Sequence, residues 1–297
     1  MPADASPLSV AAGGVTLSGE QSGGGPGSGG AANPVVLLHG LTATRRYVVM
    51  GSRALQRAGY RVLAYDARGH GQSTAAPRRA YGYEHLADDL LAVLDAAGIE
   101  CAVLAGASMG AHTAVRFALE HPERIAALAL ITPAFDPAIS SRDEQELARW
   151  DALSRGLRDG GVEGFVDAYD LAAVPEAWRD TVATVLRQRL SAHEHPNAVA
   201  DALEVVPRSR PFEALASLAA IAAPTLVVAS RDEADPEHPL AVGKLYAETI
   251  PGARLVVEDA GVDAHPTPSP IAWQGGQLSK LLIELVSEAV AQNRVSN

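Results

Sequence analysis

A serine between two glycines is the residue of this chain best suited to covalent chemistry. Gly106, Ser108 and Gly110 fit the spacing G-x-S-x-G. The short apolar run at 101–105 predicts a strand buried on both faces, and residues 111–119 have the spacing of one helix face. A tight turn from strand to helix lifts a serine hydroxyl clear of the sheet and aims it at an incoming carbonyl. We therefore predict that Ser108 is a nucleophile.

A serine hydroxyl needs a base to take its proton and an acid to orient that base. In an open parallel sheet, the loops at the carboxyl ends of the strands meet at one crevice. Asp232 follows a predicted strand at 224–230, and His265 lies in the loop after the last predicted strand, 254–257. We therefore predict that His265 is the base and that Asp232 is the acid.

The elements that must position these residues alternate between strands and helices. Apolar runs predict further buried strands at 34–38, 61–65 and 125–131, and apolar periodicity predicts helices at 52–58 and 83–97. A strand-like pair before them is joined by Gly13-Gly14, a hairpin-type turn. This order implies an α/β fold, a mostly parallel, doubly wound sheet with helices on both faces.

The alternation stops at 132–137, and residues 140–210 carry helix signals and no convincing strand. A helical insertion at the end of the sheet where the serine points is most simply a lid, whose apolar residues line a pocket and exclude water. A surface decoration without substrate contact is the alternative. The chain thus divides into a core, residues 1–139 and 211–297, and a lid, residues 140–210. Trp150 of the lid is a candidate substrate contact.

Three further features of the sequence could be taken for functional sites, but each has a structural explanation as well. The glycine-rich run at 21–30 lacks the strand, the helix and the Gly-Lys-Ser/Thr of a phosphate loop, so it predicts a surface loop. His39 follows a buried strand, and we interpret it as a structural residue that braces the next loop. Arg45 and Arg46 are candidate contacts for a substrate carboxylate, with a solvated helix end or an ion pair as the alternative.

The composition is that of an ordinary globular protein, with 297 residues of which 47% are hydrophobic and 20% charged. The formal charge of −11 argues against nucleic acid or an anionic membrane as a partner. The single cysteine, Cys101, cannot form an internal disulfide. No apolar stretch approaches the ~18 residues of a membrane span, and the start lacks a secretory signal. We expect a cytoplasmic protein that binds a small molecule, without metal or other cofactor.

Together these residues resemble an α/β-hydrolase-fold enzyme over nearly the whole chain. The resemblance rests on His39-Gly40-Leu41, on Asp66-Ala67-Arg68-Gly69-His70-Gly71-Gln72-Ser73, on Gly106-Ala107-Ser108-Met109-Gly110, on Asp232 with Pro236, and on His265. It implies that the backbone N–H groups of Leu41 and Met109 form an oxyanion hole. It also implies a helical cap between the sixth and seventh strands, where 140–210 falls.

Two positions depart from the family's pattern. Ala264 precedes His265 where the family usually has glycine, and Ala229 stands three residues before the acid, where glycine is also usual. Asp235 competes with Asp232 as the acid. Asp136 does so too, because some family members take the acid from the loop after the sixth strand.

The choice of His265 as the base follows from its place in the chain. No other histidine lies in the final loop. His193, His195 and His238 belong to the predicted lid or to a helix start, and we interpret them as surface residues.

Serine at this turn favours hydrolysis of an ester, a thioester, a lactone or a carbon–carbon bond beside a ketone. We predict a serine hydrolase that cleaves a small, largely apolar carboxylic ester, thioester or lactone through an acyl-enzyme formed on Ser108. A carbon–carbon bond hydrolase or an acyltransferase with the same residues is the alternative. A ligand receptor of the same fold, without enzymatic activity, is the alternative from another class of protein.

Overall fold

A computed structural model describes residues 5–24, 33–138, 144–232, 235, 237–258 and 273–295. The described residues form eight strands, β1 (Ala5–Ala12), β2 (Val15–Ser22), β3 (Val35–Leu38), β4 (Val62–Tyr65), β5 (Ala102–Ala107), β6 (Ile125–Ile131), β7 (Thr225–Ala229) and β8 (Arg254–Val257). All eight belong to one sheet in the order β1-β2-β4-β3-β5-β6-β7-β8. The β1–β2 and β2–β4 pairs are antiparallel, and every other pair is parallel.

The same residues form eight α-helices, α1 (Ala54–Arg57), α2 (Tyr83–Ala96), α3 (Met109–Glu120), α4 (Glu144–Ala168), α5 (Arg179–Leu190), α6 (Pro196–Val205), α7 (Leu240–Thr249) and α8 (Gly275–Val295). In the part of the chain that is described, none of them is both long enough and apolar enough to cross a bilayer.

The central strands are apolar throughout because both faces of the sheet are covered. In β3, Val36 and Leu38 pack into the hydrophobic cluster that contains residues of α2, α3 and α7. Val35 and Leu37, which point to the opposite face, pack into the cluster that contains residues of α1 and α8. The mostly parallel sheet with helices on both faces confirms the predicted fold class.

The helices between β6 and β7 have a hydrophobic cluster of their own. We call residues 144–208 the helical insertion; they fall within the predicted lid. Leu153, Phe165 and Leu186 belong to this cluster, together with residues of α6. Helix α4 is interrupted at Gly161, whose φ of 62° breaks the helical geometry. Further residues of the insertion pack against Met109 at the start of α3, so the insertion lies over the carboxyl end of β5.

Candidate active site

Ser108 lies on a strained turn between β5 and α3. Its φ of 50° and ψ of −112° lie in a region that residues other than glycine rarely adopt. A Cβ atom at Gly106 would collide with the carbonyl group of Gly110, and one at Gly110 would collide with the carbonyl group of Leu38. Both glycines are therefore required for the close approach of backbone that forms the turn, as the sequence predicts.

The hydroxyl of Ser108 contacts an imidazole. Nε2 of His238 lies 2.9 Å from Oγ of Ser108. Nδ1 of the same ring lies 2.9 and 2.8 Å from the two carboxylate oxygens of Asp235. A carboxylate can only accept, so Nδ1 carries the hydrogen and Nε2 is left with a lone pair that faces the serine hydroxyl. The three side chains thus lie in the arrangement that a serine, a base and an acid need for proton transfer.

Two opposing effects set the pKa of His238. Burial of the ring lowers its pKa, since it disfavours the charged form. The hydrogen bond to Asp235, together with the negative charges of Asp235 and Glu237, outweighs burial and raises the pKa above its usual value. The ring is therefore a stronger base than a histidine in water.

The structure describes the predicted acid but not the predicted base. His265 lies outside the described residues, so its pairing with Asp232 stays a prediction. Oδ1 of Asp232 accepts a hydrogen bond of 2.8 Å from the backbone N–H of Leu240, at the start of α7. Asp136 accepts one of 2.8 Å from the N–H of Ala138. Of the three candidate acids, the structure joins Asp235 to a histidine.

The interpretation of His238 and His193 as surface residues is wrong. The His238 side chain is only 21% exposed, because the turn before α7 brings it over the serine. His193 is 8% exposed and bridges two loops of the core, accepting from the N–H of Gly71 at 2.8 Å and donating to the carbonyl of Thr42 at 3.0 Å. His195 is half-buried.

A cavity of about 220 Å³ opens at Ser108 between the sheet and the helical insertion. Leu41 and Met109, whose amides are the predicted oxyanion donors, both line it beside the serine. Trp150 lines it from the insertion, where the sequence analysis expected a substrate contact. The cavity therefore places a ligand within reach of the Ser108 hydroxyl and beneath the insertion.

The arginine that lines this cavity is not one of the two that the sequence suggested as substrate contacts. Arg45 pairs with the buried carboxylate of Asp66 and donates to Gln72 at 2.7 Å, while Arg46 is exposed. The structure places both outside the cavity lining, and Arg189 of α5 lines it instead. No feature of the sequence distinguishes Arg189 from the other arginines of α5, so sequence analysis missed it.

Two further histidines near the serine have structural roles. His39 accepts a hydrogen bond of 2.9 Å from the N–H of Ala67 and donates one of 2.8 Å to the carbonyl of Gly40, which confirms that it braces the loop after β3. Nε2 of His112 accepts from the N–H groups of Ala134 and Phe135 at 3.0 and 3.1 Å. Burial lowers the pKa of each histidine to about 3, so both stay neutral.

A doubly wound, mostly parallel sheet with a nucleophile-type turn after β5 and helices inserted after β6 defines an enzyme of the α/β-hydrolase class. Comparison with known proteins gives the same result. A family model described as "alpha/beta hydrolase fold" matches residues 33–158. The chain belongs to the α/β-hydrolase family and is a hydrolase.

Relatives of the chain include several hydrolases. "Putative carbamate hydrolase RutD" of Pseudomonas savastanoi pv. phaseolicola is 30% identical over 81% of this chain and 90% of its own length. The protein of the same name from Variovorax paradoxus is 32% identical over 71% of this chain and 76% of its own length.

Similar solved structures cover almost the whole chain. An esterase from Thermogutta terrifontis is 24% identical with a TM-score of 0.74, over 96% of this chain and 99% of its own. An enol-lactonase from Burkholderia xenovorans LB400 is 25% identical with a TM-score of 0.72, over 94% of this chain and 100% of its own.

Proposed function

We propose that this protein is a serine hydrolase that cleaves a small, largely apolar carboxylic ester, thioester or lactone through an acyl-enzyme on Ser108. The observation that carries the proposal is the 2.9 Å contact between Oγ of Ser108 and Nε2 of His238, with Asp235 on the opposite nitrogen. A serine alone is a weak nucleophile, and this contact supplies the base that activates it.

The reaction proceeds in two halves. Nε2 of His238 takes the Ser108 proton as Oγ attacks the carbonyl carbon, and the N–H groups of Leu41 and Met109 stabilise the negative oxygen that forms. The imidazolium then gives its proton to the leaving alkoxide, which leaves the acyl group on Ser108. In the second half, water attacks the acyl carbonyl and gives a proton to the same nitrogen. The imidazolium then returns this proton to Oγ of Ser108 as the bond between Oγ and the acyl carbon breaks, which releases the carboxylic acid. Asp235 stabilises the charged ring in both halves.

A rival base comes from the sequence. His265, with Asp232 as its acid, takes the corresponding place in the pattern of the family. We propose His238 and Asp235 on the strength of their contacts, and keep His265 and Asp232 as the second candidate pair. Substitutions at the two histidines and at the two aspartates separate these candidates.

The size and lining of the cavity limit the substrate. Its volume of about 220 Å³ is below the ~300 Å³ at which drug-sized ligand pockets begin. Leu153, Phe165 and Leu186 of the helical insertion supply apolar walls. We infer that the insertion acts as a lid that excludes water from a short acyl or alcohol group. The name of the relatives makes carbamates a second candidate class of substrate.

The test is hydrolysis of a graded set of p-nitrophenyl esters from acetate to decanoate, with a p-nitrophenyl carbamate alongside. We expect kcat/KM to be highest for acyl chains of about two to six carbons and to fall for longer ones, because the cavity is small. Product analysis with an added alcohol detects acyl transfer. No turnover of any ester or carbamate, and no labelling of Ser108 by a fluorophosphonate, would refute the proposal.

The pH dependence of kcat/KM provides an independent check on the base. Neutral imidazole accepts the serine proton, so activity is present above the pKa of the base and is lost as pH falls through it. Because the pKa of His238 is raised, we expect an acid limb with an apparent pKa above the ordinary value of about 6.5. Initial rates between pH 5 and 9, with chemistry rate-limiting, measure this limb.

Unfolding must be separated from titration of the base in that experiment. Burial lowers the pKa of His39, His70 and His193, so these rings stay neutral in the folded protein but gain protons on unfolding below about pH 6.5. Stability therefore falls as pH falls, and circular dichroism at each pH is the control. A flat rate profile down to pH 5 in folded protein would count against His238.

A further inference from the structure

The cavity contains a positive charge that the proposed reaction does not use. Nη2 of Arg189 donates to the carbonyl of Leu41 at 3.2 Å and to Oγ1 of Thr42 at 3.1 Å. The guanidinium lies 5.7 Å from the centre of the Tyr47 ring. Its Nε is buried and has no hydrogen-bond partner. Within the described ranges, this arginine forms no ion pair with a carboxylate.

Other arginines of the helical insertion do form ion pairs with carboxylates. Four of them form ion pairs of 2.6 to 2.8 Å, namely Arg149 with Glu237, Arg158 with Asp201, Arg187 with Glu163 and Arg208 with Asp151. A cation removed from water without a counter-ion is costly. Burial accordingly lowers the pKa of Arg189. The negative charges of Glu237 and Asp235 offset this effect only in part. The cavity therefore has a positive charge at its lining, which an anionic ligand would neutralise.

The carboxylates at or near the cavity are bonded to other groups or exposed to water. Glu237 accepts from Arg149 at 2.6 Å, and the hydroxyl of Tyr169 lies 3.4 Å from the same oxygen. Asp235 is bonded to the imidazole of His238. Glu146 is exposed to water, which screens its charge.

We propose that Arg189 binds a carboxylate of the substrate, so that the preferred substrate is a short ester or lactone that itself carries a carboxylate, such as a half-ester of a dicarboxylic acid. This inference rests on the proposed function. Guanidinium N–H groups bind carboxylates through strong, directional hydrogen bonds, and the Arg189 side chain lines the cavity in which such a carboxylate would lie. The apolar walls then hold the carbon chain between the anchored carboxylate and the scissile carbonyl.

A purely structural role for Arg189 makes a different prediction. Through Leu41 and Thr42 it also contacts the loop that supplies a proposed oxyanion donor. If Arg189 only positions that loop, its substitution lowers kcat for charged and neutral substrates alike. If it binds a carboxylate, the loss appears in KM and only for the charged substrate.

The experiment compares monomethyl succinate with methyl butyrate, which have acyl chains of equal carbon number, by titration of the released acid. We expect the wild type to prefer the charged ester. Arg189→Gln should raise KM for monomethyl succinate by about tenfold or more and change KM for methyl butyrate by less than threefold. Arg189→Lys, which keeps the charge, should recover part of the loss. Arg187→Gln, on the same helix but paired with Glu163 away from the cavity, is the matched control and should change neither.

Calorimetric binding of succinate to the Ser108→Ala variant tests the anion site without catalysis. We expect binding that disappears in the Ser108→Ala, Arg189→Gln double variant. Binding that depends on Arg189 in a protein that hydrolyses no ester would overturn the proposed function but still support a carboxylate site at Arg189. Hydrolysis of neutral esters with no preference for the charged one, or equal losses on both substrates in Arg189→Gln, would overturn the inference alone.

Discussion

Replacement of Ser108 by alanine will lower kcat/KM for a short-chain ester by about 10⁴-fold or more and leave the protein folded. The change removes the oxygen that forms the acyl-enzyme, so only the binding pocket and the oxyanion donors are left to accelerate the reaction. The turn itself remains, because Gly106 and Gly110 supply the space that it needs. Steady-state kinetics with each purified protein measure the loss, and thermal denaturation checks the fold.

A second serine in the same cavity provides the control. Oγ of Ser209 accepts a hydrogen bond of 2.9 Å from the N–H of Tyr83, and Ser209 also lines the pocket. Ser209→Ala should lower kcat/KM by less than about tenfold, because no imidazole bonds to this hydroxyl in the part of the chain that is described. Mass spectrometry after fluorophosphonate treatment should find the adduct on Ser108. Activity within tenfold of the wild type in Ser108→Ala would remove this residue from the mechanism.

The fold and the tight turn at Ser108 could be predicted from the sequence because both depend on local patterns. Apolar runs such as 34–38 and 125–131 mark strands that are buried on both faces, and β3 and β6 lie within them. The G-x-S-x-G spacing reports a steric requirement of one turn, which the contacts at Gly106 and Gly110 reproduce. Such information is contained within a few neighbouring residues.

The contacts of the Ser108 side chain could not be predicted in the same way. Asp232 and Asp235 lie within four residues of each other, and only the path of the turn before α7 brings one of them to His238. Likewise, Arg187 and Arg189 share one helix, yet one pairs with Glu163 and the other lines the cavity. These differences arise from how the insertion packs on the sheet, which no short sequence window encodes.

Replacement of His238 by alanine should lower kcat/KM by about 10³-fold or more, because Ser108 then has no group to accept its proton. The expected size follows from the losses seen when a member of such a relay is removed. His195→Ala, which changes a half-buried histidine of the insertion, is the matched control and should leave kcat/KM nearly unchanged.

The acid is tested in the same way. Asp235→Asn should lower kcat by about 10²- to 10⁴-fold, and Asp232→Asn should lower it by much less.

The variant His265→Ala decides between the two candidate bases. With His238 as the base, His265→Ala keeps activity within about tenfold of the wild type, and the raised acid-limb pKa persists. In the reverse result, His265→Ala and Asp232→Asn are inactive while His238→Ala and Asp235→Asn keep activity. That result would identify His265, in the loop after β8, as the base. His238 would then be a residue that contacts the Ser108 hydroxyl without accepting its proton. Because Ser108→Ala is inactive in both cases, the comparison tests the identity of the base independently of the nucleophile.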